Sequence, residues 1–217
     1  MGHRELRRVE TLRAIATEAS RLFAAQGYSR TTTQQISERA GIAAGTLFRY
    51  FSTKNEILLM VFNQKYEVIL DEEREKINST HDVVSAVRHM MQAFLDISTT
   101  QLENTLIYQR ELLFGHSGKP EKSGKYRDEG LVIMEETEQI ISRKILASAA
   151  QKDAHLTEAE SLAASRAIFA SFQSALIRIS RGHPQQTCTA ELQQQIEQII
   201  VGATVINDLP IEFFENQ

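Results

Sequence analysis

The stretch TQQISERAGIAAGTLFRYF, residues 33–51, decides the fold of the first part of the chain. It predicts two short helices joined by a turn at Gly41, because apolar residues recur at helical spacing on both sides of this glycine. Glycine allows a left-handed turn, and the small Ala40 before it lets two helices cross closely. Two helices joined in this way are typical of a helix-turn-helix. The positions expected inside are Ile36, Ala40, Ile42, Leu47 and Phe51.

Helical spacing continues through the rest of the chain. No segment alternates apolar and polar residues long enough to predict a strand, so we expect an all-α protein. Capping-box patterns at Thr32, Thr53 and Thr157 predict helix starts, and Gly27 predicts the end of the first helix. Segment 115–125, rich in Gly, Ser and Lys, predicts a mobile loop. The helices are expected at about 5–26, 32–40, 46–51, 54–77, 81–98, 101–114, 128–152, 157–181 and 189–206.

Composition limits the class of protein. The 217 residues are 42% hydrophobic and 24% charged, which is typical of a soluble globular protein. The single cysteine, Cys188, forms no internal disulfide, in agreement with a reducing cytoplasm. The longest apolar run, residues 57–62, is too short for a membrane span of about 20 helical residues, and no secretory signal is expected. We therefore expect a cytoplasmic protein without a membrane partner.

The charge of the chain is divided unevenly along its length. The formal charge of −4 for the whole sequence argues by itself against a nucleic-acid partner. Residues 1–55, however, hold nine basic and four acidic residues, a net charge of +5, whereas residues 56–217 hold 15 and 24, a net charge of −9. Such asymmetry is typical of a nucleic-acid-binding domain joined to a domain with another role, although chance variation in surface charge produces it too. The helix-turn-helix pattern in the basic segment favours DNA binding.

A longer pattern around these helices resembles a known family. Residues 11 to about 60 resemble the DNA-binding region of the TetR (tetracycline-repressor) family, above all in GTLFRYFSTKNEIL, residues 45–58. The remainder matches that family only in length and helical character. The resemblance implies a DNA-binding domain over residues 1–53 and a ligand-binding and dimerisation domain over residues 54–217. It also implies a homodimer that binds a palindromic operator on double-stranded DNA, most often as a repressor, and is released by a small-molecule effector.

The resemblance implies specific DNA contacts. Thr33 and Gln34 would contact phosphate and a base edge, and residues 44–46 would begin the recognition helix. Arg49 and Gln34 are side chains able to make bidentate contacts to guanine and adenine respectively. The chain departs from the family at Ala43-Ala44, where Ser-Lys is common, and at Phe48, where Tyr is usual. The candidate DNA-binding residues are Thr33, Gln34, Ala44, Gly45, Thr46, Phe48, Arg49, Tyr50 and Lys54.

The larger region supplies candidate effector-binding residues. Aromatic and methionine side chains with a few polar tips suit a pocket for an apolar or aromatic molecule, although such residues at helical spacing more often form a core. A buried Arg110 would need an anionic partner such as Glu111 or Glu103. The candidates are Phe62, Tyr66, His89, Met90, Met91, Phe94, Tyr108, Arg110, Phe114 and Met134.

Small and apolar residues along the last two helices suit a four-helix dimer interface, with an intramolecular core as the alternative. The candidate interface residues are Ala163, Ala167, Ala170, Phe172, Ser174, Leu192, Ile196, Ile199 and Ala203.

Other classes of function compete with a ligand-responsive repressor. An activator or a ligand-independent regulator of the same fold has the same sequence pattern. A helical enzyme is disfavoured because the sequence has no nucleophile elbow, no phosphate-binding glycine loop and no His or Cys cluster at metal-ligand spacing. An architectural DNA-binding protein would be basic throughout, unlike residues 56–217. We expect no catalytic residues, no metal and no cofactor.

Overall fold

The structure, a computed structural model, describes residues 2–115, 124–152 and 154–205. Within these ranges the chain forms nine α-helices and no strand, so the predicted all-α class is confirmed. Of the predicted loop 115–125, residues 116–123 lie outside the described ranges. The helices are α1 (His3–Arg30), α2 (Thr33–Arg39), α3 (Ala44–Tyr50), α4 (Lys54–Ser79), α5 (Val83–Thr100), α6 (Leu102–Phe114), α7 (Lys125–Gln151), α8 (Glu158–Ser180) and α9 (Gln185–Val205).

Local signals define several helix ends where the sequence predicts them. Gly27 interrupts α1 with a φ of 77°, and Gly41 turns the chain between α2 and α3 with a φ of 67°. Thr32 caps α2 with a complete box: the Gln35 N–H donates to Thr32 Oγ1 (3.1 Å), and the Thr32 N–H donates to Gln35 Oε1 (2.9 Å). Thr157 and Glu160 form the same box at the start of α8. These short-range interactions explain why the helix-turn-helix is legible in the sequence.

Other boundaries differ from the prediction. Helix α3 begins at Ala44 rather than Thr46, α7 at Lys125 rather than 128, and α9 at Gln185 rather than 189. In α9 the Cys188 N–H already donates to the Pro184 carbonyl (3.1 Å), so the helix begins directly after this proline. At α4 only half of the predicted box forms, because the Glu56 carboxylate accepts from the Ser52 N–H (2.5 Å).

The chain packs as two compact units, residues 1–67 with 99–133 and residues 68–98 with 134–217. The predicted domain boundary between residues 53 and 54 divides the chain by function, and it remains a prediction. The first unit has a core of fully or nearly fully buried side chains from α1, α2, α3 and α4, including Ile15, Phe23, Ile36, Leu47, Phe51 and Ile57. In the second unit α8 packs along α9, with Ile168, Phe172, Leu192 and Ile196 buried.

A polar side chain, Asn63, joins three helices inside the first unit. Its Oδ1 accepts from the Tyr108 hydroxyl of α6 (3.0 Å), and its Nδ2 donates to the Tyr126 carbonyl of α7 (2.7 Å). The Tyr108 ring packs on those of Phe62 and Tyr66, with centroid separations of 5.4 and 5.3 Å. Burial raises the pKa of the Tyr108 phenol, so this group stays a neutral donor. Helices α4, α6 and α7 are thereby held in one arrangement.

The close approach at Gly130 gives a test of this packing. A Cβ there would lie 2.8 Å from Asn63 Oδ1 and 3.0 Å from the Tyr108 hydroxyl. We expect Gly130→Ala to lower the free energy of unfolding by about 1–2 kcal/mol, because overpacking outweighs the gain in helix propensity. Chemical denaturation measures the change. The control is Gly202→Ala, whose Cβ would meet nothing within 4 Å, and which should be neutral or stabilising. Equal effects of the two substitutions would contradict this description of the packing.

Candidate nucleic-acid interface

Helices α2 and α3 bury one side and expose the other, as the helix-turn-helix pattern predicts. Ile36 and Leu47 are fully buried, and Phe51 directly after α3 is 1% exposed. The turn at Gly41 allows the two short helices to pack with these residues inward. The opposite faces of α2 and α3 remain open to solvent, which leaves them available to a partner.

The predicted DNA-binding residues occupy these open faces to different extents. Gln34, Ala44, Gly45, Phe48 and Arg49 are exposed, whereas Thr33, Thr46 and Tyr50 are half-buried. Phe48 leaves 54% of its surface in solvent, which is unusual for an aromatic side chain without a partner. A Cβ at Gly45 would meet nothing within 4 Å, so the start of α3 is also sterically open. The geometry brings these candidates onto one accessible surface.

Two polar side chains on this surface differ in their engagement. The Gln34 amide donates to Glu38 Oε1 on the same helix (2.9 Å). Arg49, in contrast, makes no side-chain hydrogen bond or ion pair within the described part of the chain. An exposed, unpaired guanidinium retains all five donors for a planar acceptor pair such as the guanine edge.

Lys54 has a structural role that the sequence does not indicate. Its Nζ donates to the carbonyls of Tyr28 (2.9 Å) and Thr31 (2.8 Å) and lies 3.8 Å from the centroid of the Tyr28 ring. Burial lowers the pKa of Lys54, and the Glu103 carboxylate acts in the opposite direction. Two of its three donors are therefore committed to the end of α1, which leaves at most one for the predicted contact with DNA.

Residues of α6 fix the same end of α1, and sequence reasoning did not identify them. The Ser29 N–H donates to Glu103 Oε1 (2.9 Å), and the Asn104 amide donates to the Phe23 carbonyl (2.9 Å). The hydrogen bonds from Ser29 hold the pKa of Glu103 below its usual value. Glu103 and Asn104 lie 74 and 81 residues from their partners in the chain, so no local sequence pattern indicates these contacts.

The predicted effector-binding residues do not share one environment. In the first unit Phe62, Tyr66 and Tyr108 are buried against one another. The Arg110 side chain lies on the outer side of α6, is 63% exposed and pairs with Glu111 (2.9 Å), one of the two partners considered for it. Phe114 is 75% exposed.

In the second unit Met90, Met91 and Phe94 are buried, and Met134 is half-buried. The His89 side chain is 63% exposed and lies 3.5 Å from the buried Glu73 carboxylate.

The predicted dimer residues divide into two groups. Ala163, Ala167, Ala170 and Ser174 are exposed along one face of α8, and Ile199 and Ala203 of α9 are half-buried. Phe172, Leu192 and Ile196 are at most 2% exposed within a single chain. These three fill the core around α8 and α9 within one chain, which favours the intramolecular alternative, and their assignment to an interface remains a prediction.

Among residues 2–115, 124–152 and 154–205, no helix has the length and apolarity needed to cross a membrane. Within the same ranges no cluster of His, Cys, Asp and Glu is arranged to hold a metal ion.

Part of the chain matches a known protein family. Residues 11–61 match the family described as bacterial regulatory proteins, tetR family. One curated relative is the HTH-type transcriptional regulator HbdR of Aromatoleum sp. (strain CIB), 27% identical over 96 residues, which cover 44% of this chain and 42% of HbdR. The chain thus matches less than half the length of that relative.

Solved structures resemble a larger part of the chain. The transcriptional regulator FadR from Bacillus subtilis, solved in complex with stearoyl-CoA, has a TM-score of 0.63 at 18% identity and covers 87% of this chain and 97% of its own. A regulator from Saccharomonospora viridis described as putative, solved with choline, has a TM-score of 0.64 at 18% identity, with coverages of 89% and 96%. Identities this low establish a shared fold and no shared ligand.

The Lys54 contacts predict a stability effect. Lys54→Met keeps the aliphatic stem and removes the donors to Tyr28 and Thr31, and we expect the free energy of unfolding to fall by about 1–2 kcal/mol. The control is Lys152→Met at an exposed lysine, which should change stability by less than about 0.5 kcal/mol. Urea denaturation of the three proteins measures both values, and an unchanged stability of Lys54→Met would show that the two hydrogen bonds contribute nothing.

Proposed function

We propose that the chain belongs to the TetR family of bacterial regulatory proteins, whose model matches residues 11–61, and that it is a transcriptional regulator that binds an operator through α2 and α3. The observation that carries the proposal is Arg49, exposed and unpaired on α3, opposite the buried Leu47. Enzymatic activity forms no part of the proposal, since the related proteins are described as transcriptional regulators.

We propose that α3 enters the major groove. There the Arg49 guanidinium donates both hydrogen bonds to O6 and N7 of a guanine, and the exposed Phe48 ring contacts a thymine methyl group. Gln34 exchanges its hydrogen bond to Glu38 for the edge of an adenine, and Thr33 donates to phosphate. The net charge of +5 over residues 1–55 supplies the attraction that the whole-chain charge of −4 conceals.

We propose that the protein acts as a homodimer. One helix-turn-helix reads a half-site, and two of them about 34–36 Å apart read a palindrome. The exposed Ala163, Ala167, Ala170 and Ser174 recur at helical spacing along α8, and small side chains allow a second helix to approach closely. Ile177, 53% exposed on the same helix, adds apolar area to this surface.

Response to a small effector is the remaining part of the proposal. Two proteins with this fold were solved with stearoyl-CoA and with choline, which differ in chemistry, so fold alone selects no effector. The aromatic and methionine residues of this chain favour an apolar or aromatic compound. We propose repression released by that compound, with activation as the alternative, in the cytoplasm where the DNA lies.

Arg49→Ala tests the recognition contact. Loss of a bidentate contact to guanine costs about 1–3 kcal/mol per half-site, so we expect affinity for the operator to fall at least tenfold. The probe is a duplex selected from a randomised library with the wild-type protein, and fluorescence anisotropy measures binding. Arg13→Ala is the control, because Arg13 is also exposed and lies on α1.

Equal affinities of Arg49→Ala and wild type would remove Arg49 from the interface. Equal losses of affinity in Arg49→Ala and Arg13→Ala would show that the effect comes from the change in net charge alone.

Ala167→Glu tests the proposed dimer surface. A carboxylate in the middle of the α8 face would be desolvated by a partner helix, so we expect a shift from dimer to monomer in sedimentation velocity at micromolar concentration. Ala147→Glu, at an exposed alanine of α7, should remain a dimer. A dimer that survives Ala167→Glu unchanged would place the interface elsewhere.

A further inference from the structure

A broad cleft in the first unit lies beside the end of α3. It has a volume of about 1090 Å³ and is lined by the first turns of α1, the last residues of α3 and the first residues of α7. Arg49 and Tyr50 belong both to this cleft and to the candidate DNA-binding surface. The cleft is therefore continuous with the surface that α3 presents.

The lining of the cleft is strongly cationic. Five of its side chains carry a positive charge, against a single carboxylate, Glu5. The cations are Arg4, Arg7, Arg8, Arg49 and Lys125. Pockets for small organic ligands are mostly apolar, whereas clustered arginines match the geometry and charge of phosphate groups. We name the surface formed by Arg4, Arg7, Arg8 and Lys125 the basic cleft, and Arg49 lies at its edge on the recognition helix.

The cations of the basic cleft are available to a ligand. Within the described ranges the side chains of Arg4 and Arg7 form no ion pair or hydrogen bond. Arg8 lies 3.7 Å from Glu5, and Lys125 lies 3.5 Å from Glu129. In each pair more than half of the surface of the cationic side chain is exposed. Exposed pairs of this kind are weak, so phosphate can replace the carboxylates.

Lys125 is held near α3 by its neighbour in sequence. The Tyr126 ring stacks on Phe51, the residue directly after α3, with centroids 5.4 Å apart and an interplanar angle of 22°. The Tyr126 carbonyl accepts from Asn63 Nδ2 of α4 (2.7 Å). These two contacts fix the start of α7 beside the end of α3. Lys125 therefore stays in the cleft, although it has no partner in α3.

We propose that the basic cleft binds the sugar–phosphate backbone of duplex DNA outside the base pairs that α3 reads. This inference rests on the proposed function and extends it, since it adds α1 and α7 to the DNA-contacting elements. Phosphate contacts position a protein and carry no sequence information. The basic cleft therefore contributes to the affinity for any duplex, and Arg49 contributes to the choice of sequence.

The test uses the full chain and a 30-base-pair duplex of mixed sequence, with binding followed by fluorescence anisotropy at several potassium chloride concentrations. In Arg7→Ala/Lys125→Ala we expect the slope of log affinity against log salt to fall in magnitude by about 1 for each lost phosphate contact, which is about 2 for each bound subunit and about 4 for a dimer with both subunits on the duplex. Both side chains are exposed, and circular dichroism will verify that the fold is retained.

The matched control is Arg13→Ala/Arg143→Ala. It likewise removes two exposed cationic side chains, both arginines without an ion pair within the described ranges, and it leaves the basic cleft intact. We expect its salt slope to equal that of the wild type. Equal slopes of wild type and Arg7→Ala/Lys125→Ala, or equal losses in the two double variants, would overturn the proposal.

A second experiment distinguishes binding of the DNA backbone from binding of a small free anion. Calorimetric titration with pyrophosphate should show no saturable binding to the wild type. Saturable binding that Arg7→Ala/Lys125→Ala abolishes would assign the cleft to a small anion and overturn the proposal. Failure of the proposed function has a different signature: no duplex from a randomised library is preferred over the mixed sequence, while the slopes of the two double variants still differ.

Discussion

The end of α1 is the point on which the DNA-binding unit depends. Gly27, with a φ of 77°, breaks α1 and directs the carbonyls of Tyr28 and Thr31 toward the Lys54 ammonium. The same turn exposes the Ser29 N–H, which donates to Glu103. A side chain at Gly27 would place its Cβ against the Glu103 carboxylate. Gly27 therefore permits the contacts through which α4 and α6 hold α1. The helix-turn-helix is held in turn through its packing on α1.

This arrangement separates rigid support from exposed recognition. The residues that tie α1, α4 and α6 together are engaged in hydrogen bonds to main-chain groups, whereas Arg49 on α3 keeps its donors free. A recognition side chain is useful only if its helix is held in a fixed place, since misplacement by a fraction of a hydrogen-bond length weakens a bidentate contact. The net charge is divided along the chain, with +5 over residues 1–55, which include Arg49, and −9 over residues 56–217.

Sequence reasoning succeeded where the determining interactions are local. Gly41, the box at Thr32 and the inward Leu47 depend on neighbours within one or two turns, and each was predicted. It failed where the partner lies far away in the chain. Lys54 reads as a free cation at a helix start because the carbonyls it binds precede it by 23 and 26 residues. Phe172 reads equally well as core or interface, since periodicity identifies an apolar face and not what covers it.

Methylation interference on a duplex selected from a randomised library tests the central claim, that α3 reads the major groove through Arg49. Methylation of guanine N7 removes the acceptor that a bidentate arginine requires. If Arg49 reads the major groove in this way, methylation at one guanine in each half-site blocks binding, and the two guanines are related by the two-fold symmetry of the operator. Binding that tolerates N7 methylation at every guanine, yet is abolished by a ligand of the minor groove, would contradict it.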